Sequence, residues 1–367
     1  MSEDVKQIQK AGNNSQQIQA QNITIVNGID EKRAREIFTE MYSVAKEDLT
    51  SEAICTANER IASFENILIP KMDKIDGALN AFADPSFQVL LTKANKSAAC
   101  TNQESDYELL SELLIHRVEK NDSRKDKAGI NRAVEIVDQI TEEALNALTV
   151  FYAIGQYNPN ADTLNKGLSI LDNLYSKLPI MNLPNNNDWI EELDILDAVR
   201  FSTLTTLKKL EQYWSEKYPG FVSAGIKVGS ENFKKVMEEI VKNGIPTTIL
   251  QPNQLLEDYF VLPVINKDAI NNLHFINRNG AFTQLIPLSD NQKDCLRKVY
   301  DLYDTNIEAI NKVKETFIEE LNNFANIKIA REFWNSIPYA INVTAVGRVL
   351  AHANAKRFES SLPDFNG

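Results

Sequence analysis

The sequence predicts a mainly α-helical protein, a helical bundle or array with a short N-terminal β-strand and minor β content in its C-terminal part. Three observations predict it. Apolar residues recur three and four apart through most of the chain. Strand-like alternation is confined to the N-terminus and to residues 246–285. Ser, Thr and Asp cap signals stand in front of the periodic stretches. With 43% hydrophobic and 25% charged residues, the chain has ample material for a core.

Three segments are expected: residues 1–28 as a strand element, 29–180 as a helical domain, and 181–367 as a mainly helical domain with short strands. In the first, Asn22 to Val26 is rich in β-branched residues and Asn27-Gly28 reads as its turn. Helices begin at Asp30, a suitable N-cap. Ile37, Met41, Val44, Ile61, Phe64 and Leu68 follow at helical spacing, and Pro70 should break or kink the helix. Asp84-Pro85 reads as N-cap and first-turn proline. Amphipathic helices centre on 109–118, 130–140 and 144–152; Thr141 caps the last and Gly155 ends it. A weak pairing rhythm over residues 30–180 shows no fixed period, so a bundle is expected rather than a solenoid.

A helix carrying Leu164, Leu168, Leu171 and Leu174 lies between the linkers at 157–160 and 183–187. Asp188 should cap a helical stretch reaching about Trp214. Beyond it, Phe233, Val236 and Ile240 mark a helix ending near Gly244. Pro246–Leu250 and Tyr259–Ile265 read as short strands, and Asn279-Gly280 as a hairpin turn between Phe275-Ile276 and Phe282–Leu285. Ser289 should cap one long helix through Val299, Leu302, Ile310, Val313, Phe317 and Leu321. A last helix starts after Thr344.

Composition narrows the function classes. A net charge of −12 repels phosphate backbones and acidic lipid, which sets nucleic-acid binding at a disadvantage. The three cysteines, Cys55, Cys100 and Cys295, are odd in number and far apart, so each is expected to act as a small hydrophobe in a reducing compartment. No basic leader followed by an apolar run opens the chain, and no segment approaches the roughly 18 apolar residues of a membrane span. The expectation is a cytoplasmic protein with no membrane partner.

The common catalytic signatures are missing. There is no G-x-G-x-x-G, no P-loop and no G-x-S-x-G. Gly225-Ile226-Lys227-Val228-Gly229-Ser230 comes nearest to a phosphate loop, but it reads better as a turn with Ser230 as N-cap. His116, His274 and His352 stand apart from one another and from the cysteines, so no metal or cofactor is expected. His116 reads as a satisfied boundary residue. The acidic pairs at 142–143, 191–192 and 319–320 fit helix starts or polar faces. Helical bacterial RNases of the HEPN type resemble this chain in being all-helical, with Arg and His four to six residues apart. Arg348 and His352, at i and i+4, are the nearest equivalent and the only catalytic candidates. The plainer reading places them on a solvated helix face.

The N-terminal element is the more informative feature. Ile18, Ile23, Ile25 and Val26 lie on a segment whose other positions are mostly Gln and Asn, too short and polar to form a sheet alone. Identical strands from several copies would ladder their amides and pack their Ile and Val residues. Residues 12–27 are therefore read as a homo-oligomerisation element. A polar tail, or docking on the chain's own body, are the alternatives.

Gly12-Asn13-Asn14-Ser15, Ile18-Gln19-Ala20, Asn22-Ile23-Thr24 and Gly28-Ile29 carry a resemblance, joined by Phe82-Ala83-Asp84-Pro85-Ser86-Phe87-Gln88, by Thr141–Leu148, and by Val343-Thr344-Ala345-Val346-Gly347 with Ala351 beyond it. Together they resemble an uncharacterised family of bacterial cytosolic proteins that brings no assigned activity. The N-terminal module is similar to those opening some proteins linked to phage defence, and Thr-x-x-Gly is loosely similar to abortive-infection proteins. The resemblance points toward antiphage defence; the orphan strand and the missing catalytic motifs make the expectation a homo-oligomeric helical interaction protein, a sensor or effector in that defence, with a further protein partner in prospect. A nuclease around Arg348 and His352, or a small-molecule or peptide receptor with its pocket in residues 221–288, are the competing readings.

Overall fold

In a computed structural model, residues 31–119, 124–279 and 282–365 are described. The chain divides into two compact units, Met1–Ala57 and Asn58–Gly367. The expected strand at 22–26, with Ile18, Ile23, Ile25 and Val26, lies outside the described residues. The described residues of the first unit are helical from residue 31 on, as part of α1 (Glu31–Asp73).

Within the second unit, α1 buries Phe64, Leu68 and Met72 at successive i, i+4 positions. The helix runs through Pro70 and stops at Asp73, so the expected break comes one turn late. Proline removes one backbone donor, and Met72, fully buried beyond it, holds the final turn in place. A short 3₁₀ segment, Ala78–Ala83, leads to α2 (Pro85–Cys100). Asp84 caps α2 by accepting from the N–H groups of Ser86 and Phe87. α3 (Glu104–Glu119), α4 (Arg124–Ile136) and α5 (Glu142–Gln156) follow. The hydroxyl of Thr141 accepts from the Ala144 N–H at the start of α5. In the same place Glu192 accepts from both the Thr141 N–H and its O–H.

α6 (Leu164–Lys177) and α7 (Asp188–Ile195) come next. Asn187, not Asp188, takes the cap position of α7. The expected single helix to Trp214 is interrupted by β1 (Val199–Ser202), and only then does α8 (Leu210–Lys217) begin. β2 (Ile226–Lys227) and α9 (Glu231–Lys242) follow, with Ser230 as the α9 cap. Pro246–Leu250 is not a strand: Thr247–Ile249 makes a 3₁₀ turn after Pro246, whose fixed φ suits that turn. The strands here are β3 (Gln251–Pro252) and β4 (Tyr259–Val261), which with β2 make a sheet ordered β2-β4-β3. β5 (His274–Asn279) and β6 (Phe282–Pro287) pair antiparallel, as the hairpin expectation required.

Ser289 caps α10 (Asp290–Asp301) with a full capping box. The expected long helix then divides, because Asn306 starts α11 (Ile307–Asn322) with a second cap. α12 (Ala325–Ser336), β7 (Ala340–Val343) and α13 (Ala345–Phe358) complete the order. β7 pairs antiparallel with β1, Val199 facing Val343 and Ser202 facing Ala340.

Two apolar clusters form the interior. The larger takes residues from α1 through α8 and again from α11 to Phe365. The smaller gathers Val236 and Ile240 of α9, Leu262, and Leu296 and Val299 of α10. α5 from Ala144 to Ile154 is buried at every position, and α13 is buried from Val349 to Ala355. Helices apolar on all sides belong in the middle of a bundle, and α13 packs against α3, α4 and α5. Among the described residues, no helix is long and apolar enough to cross a membrane. Cys295 is buried as a small hydrophobe would be, whereas Cys55 and Cys100, expected to act likewise, are exposed.

A buried histidine pair beneath the C-terminal segment

Arg348 and His352 sit on α13, so the start of that helix sets their positions. The Thr344 hydroxyl accepts from the Gly347 N–H and donates toward the carbonyls of Asp197 and Ala198, at 2.6 and 3.0 Å. The Thr344 N–H also donates to the Ala198 carbonyl. A Cβ on Gly347 would lie 2.0 Å from the Ala198 oxygen, so glycine lets α13 close onto the end of β1. The Thr-x-x-Gly segment is thus a cap and a close-packing contact.

Neither candidate lies on a solvated face. Arg348 is half-buried and its Nη1 donates to the Val343 carbonyl at 3.2 Å. His352 is 2% exposed. Its Nδ1 is 3.2 Å from Nε2 of His116, and its Nε2 is 2.9 Å from the Pro363 carbonyl. His116 is fully buried on α3, not at a boundary.

These distances order the protons. The Pro363 carbonyl can only accept, so Nε2 of His352 carries a hydrogen. In neutral His352, Nδ1 is then an acceptor, and Nε2 of His116 must donate to it. Phe365, itself 2% exposed, covers both rings at centroid distances of 6.0 Å from His116 and 5.3 Å from His352. Tyr157 stands 6.4 Å from His352, and burial raises its phenol far above the ordinary range. Burial also raises Tyr152, with the Arg348 charge acting the other way. In this arrangement neither imidazole is open to a phosphate.

A polar chain runs beside the pair. Asn354, fully buried, donates to the Thr149 hydroxyl at 2.8 Å and accepts from Arg357 at 2.6 Å. Arg357 in turn donates to Glu108.

A second unusual cation lies on α8. Lys217 Nζ donates to the Gly155 carbonyl at 2.7 Å and lies over the rings of Tyr213 and Tyr218. Burial pushes its ammonium down to about 8. Among the described residues, no carboxylate lies within ion-pair distance of it. The last carbonyls of a helix attract a cation, so Lys217 caps the end of α5.

The glycine segment at 225–230, expected as a turn, holds strand β2 at Ile226–Lys227, and only Val228–Gly229 turn before Ser230 caps α9. Gly225 and Gly229 both take positive φ, and a Cβ on Gly225 would meet the Phe260 carbonyl at 2.3 Å. In residues 221–288, the cleft formed by Phe221, Gln251–Gln254 and Val261 with Asp162–Leu164 is only about 10 Å³. A wider groove of about 390 Å³ lies between α8 and α11, lined by Glu211, Glu216, Lys314 and Phe317 among others. Among the described residues, no group of three or more His, Cys, Asp or Glu side chains is placed to hold a metal ion.

Sequence reasoning missed His116 as the partner of His352, because 236 residues separate them. The only local signal was a histidine following Leu113, Leu114 and Ile115 in an apolar helical run. No curated protein and no solved structure matches the chain. A family model matches residues 28–366, nearly the whole chain, which therefore belongs to an uncharacterised family.

Proposed function

We propose that the protein is a homo-oligomeric helical interaction protein whose copies join through residues 12–27, and that it serves as a sensor or effector in bacterial antiphage defence. The observation that carries this reading is the state of His352. Of the two catalytic candidates on α13, the histidine is buried, hydrogen-bonded on both nitrogens and covered by Phe365, and Arg348 is half-buried and bonded to the Val343 carbonyl. Catalysis on a polymer needs its acid or base in reach of the reacting atoms. Binding needs instead a rigid body with apolar side chains turned outward. Leu204, Met181, Ile195 and Ile307 are each more than seven-tenths exposed. The pattern of Ile18, Ile23, Ile25 and Val26 between amides supports self-association.

The test of assembly is the double variant Ile23→Asp, Ile25→Asp, with molar mass read by light scattering. Charges placed on a stacked strand repel their copies, so the variant should fall to the monomer mass. A variant that keeps the mass of the parent removes the strand from the account. The defence role is tested separately, by survival of phage-challenged bacteria expressing either form; equal survival of both and of cells lacking the protein would refute it.

A further inference from the structure

We propose that the outer edge of β6 is a second contact between copies of this chain, pairing antiparallel with the same edge of a neighbouring copy about a two-fold axis at Gln284. β5 and β6 form a two-stranded sheet, and among the described residues no third strand joins it. Phe275, near the base of the hairpin, packs on the smaller apolar cluster, while Leu285 and Ile286 are 61% and 39% exposed. A two-stranded hairpin is marginally stable by itself in water. Natural sheet edges are commonly blunted by charged side chains, yet Phe282–Pro287 carries none.

The register decides which groups this edge offers. Asn279 and Phe282 flank a two-residue connection and form the closing pair, which in such hairpins is hydrogen-bonded. Alternation makes Asn277–Gln284 and Phe275–Ile286 the next hydrogen-bonded pairs. Thr283 and Leu285, opposite Arg278 and Ile276, therefore turn both N–H and C=O away from β5. Pro287 is the next outward position and has no N–H to offer. Pairing the edge with itself matches Thr283 of one copy to Leu285 of the other, and Leu285 to Thr283. The outward N–H of each then meets an outward C=O. In that register Gln284 stands opposite Gln284 and Phe282 opposite Ile286, so amide meets amide and apolar meets apolar. A shift by one residue would set outward positions against inward-bonded ones and leave these groups unpaired.

Size and charge select a second copy as the occupant. So short an edge covers far less than the roughly 800 Å² per partner of a stable complex, so an untethered strand would not stay. A copy already held through residues 12–27 is present at high local concentration and can pair there. The edge pairing thus rests on the assembly proposed above, and by itself it would not dimerise a chain lacking that element. The edge is also neutral, so bodies of net charge −12 meet there without like charges facing each other across the strands.

The experiment is disulfide trapping in the full chain, with the exposed Cys55 and Cys100 replaced by serine. Gln284→Cys puts two thiols on a non-hydrogen-bonded pair about 4.5 Å apart at Cα, within disulfide reach. Asn277→Cys, one strand further in, leaves them about 14 Å apart. Mild oxidation should link copies through residue 284 about tenfold faster, or more, than through residue 277. Leu285→Pro removes an outward N–H without touching the bonds to β5, and should slow the Gln284→Cys link by about tenfold at unchanged assembly mass. Light scattering of the reduced protein separates the two claims. An oligomer that links equally fast through 284 and 277, or whose link is indifferent to Leu285→Pro, overturns the edge pairing and leaves the assembly standing. A monomeric reduced chain overturns the assembly, and the edge pairing falls with it. Should Gln284→Cys fail to fold, hydrogen exchange of the parent decides. Its Leu285 N–H should be protected about tenfold more than in the Ile23→Asp, Ile25→Asp chain; equal protection overturns the pairing.

Discussion

Gly347 on α13 approaches the carbonyl of Ala198 so closely that a methyl group there would sit 2.0 Å from the oxygen. The contact locks the last helix to the end of β1, where Thr344 adds its own hydrogen bonds. Gly347→Ala must push α13 away from β1, at a cost of about 1–3 kcal/mol or more. Thr344→Ala removes the cap and costs about 1 kcal/mol. Urea unfolding measures both, and a Gly347→Ala midpoint equal to the parent's would show that the approach is looser than described.

The buried chain through Asn354 makes a second prediction. Asn354→Ala leaves the Arg357 donor and the Thr149 hydroxyl short of a partner inside the bundle. The loss should be about 1–3 kcal/mol. Thr149→Val should cost less, because the Asn354 carbonyl oxygen keeps Arg357. A double-mutant cycle should show the two changes to be coupled; additive losses would mean that the chain is not a unit.

Local chemistry was legible and distant pairing was not. Asp84, Thr141, Ser289 and Thr344 announce themselves as caps because a cap bonds residues two or three positions away. The β5–β6 hairpin was legible for the same reason, its turn lying between its strands. β1 was not, because its partner, β7, lies far along the chain and four residues carry too little alternation to stand out. The division at Asn306 was hidden because Ile310, Val313 and Phe317 keep helical spacing with Val299 across the gap. Arg348 and His352 could be picked out by type and spacing, but spacing alone says nothing of burial. A helix buried on all sides makes an i, i+4 polar pair an interior feature.

Lys217 gives a pH prediction with a definite sign. Its folded-state value is about 8, below the ordinary lysine value near 10.4. Between those two values the unfolded chain binds more protons at this site than the folded one, so stability rises with pH. Tyr218, buried, and Tyr213, half-buried, are both raised by burial and act in the opposite sense once free tyrosine begins to ionise near pH 10. The rise is therefore confined to about pH 8 to 9.5, and Lys217→Met should abolish it. Thermal unfolding across that range is the measurement; a Lys217→Met profile parallel to the parent's would assign the rise to another group.

Self-association through the N-terminal strand is the central claim, and the native mass of the full chain beside that of a chain lacking residues 1–28 tests it most directly. The account predicts a closed homo-oligomer for the full chain and a monomer for the shortened one. Two monomers, or two oligomers of the same number, would contradict it.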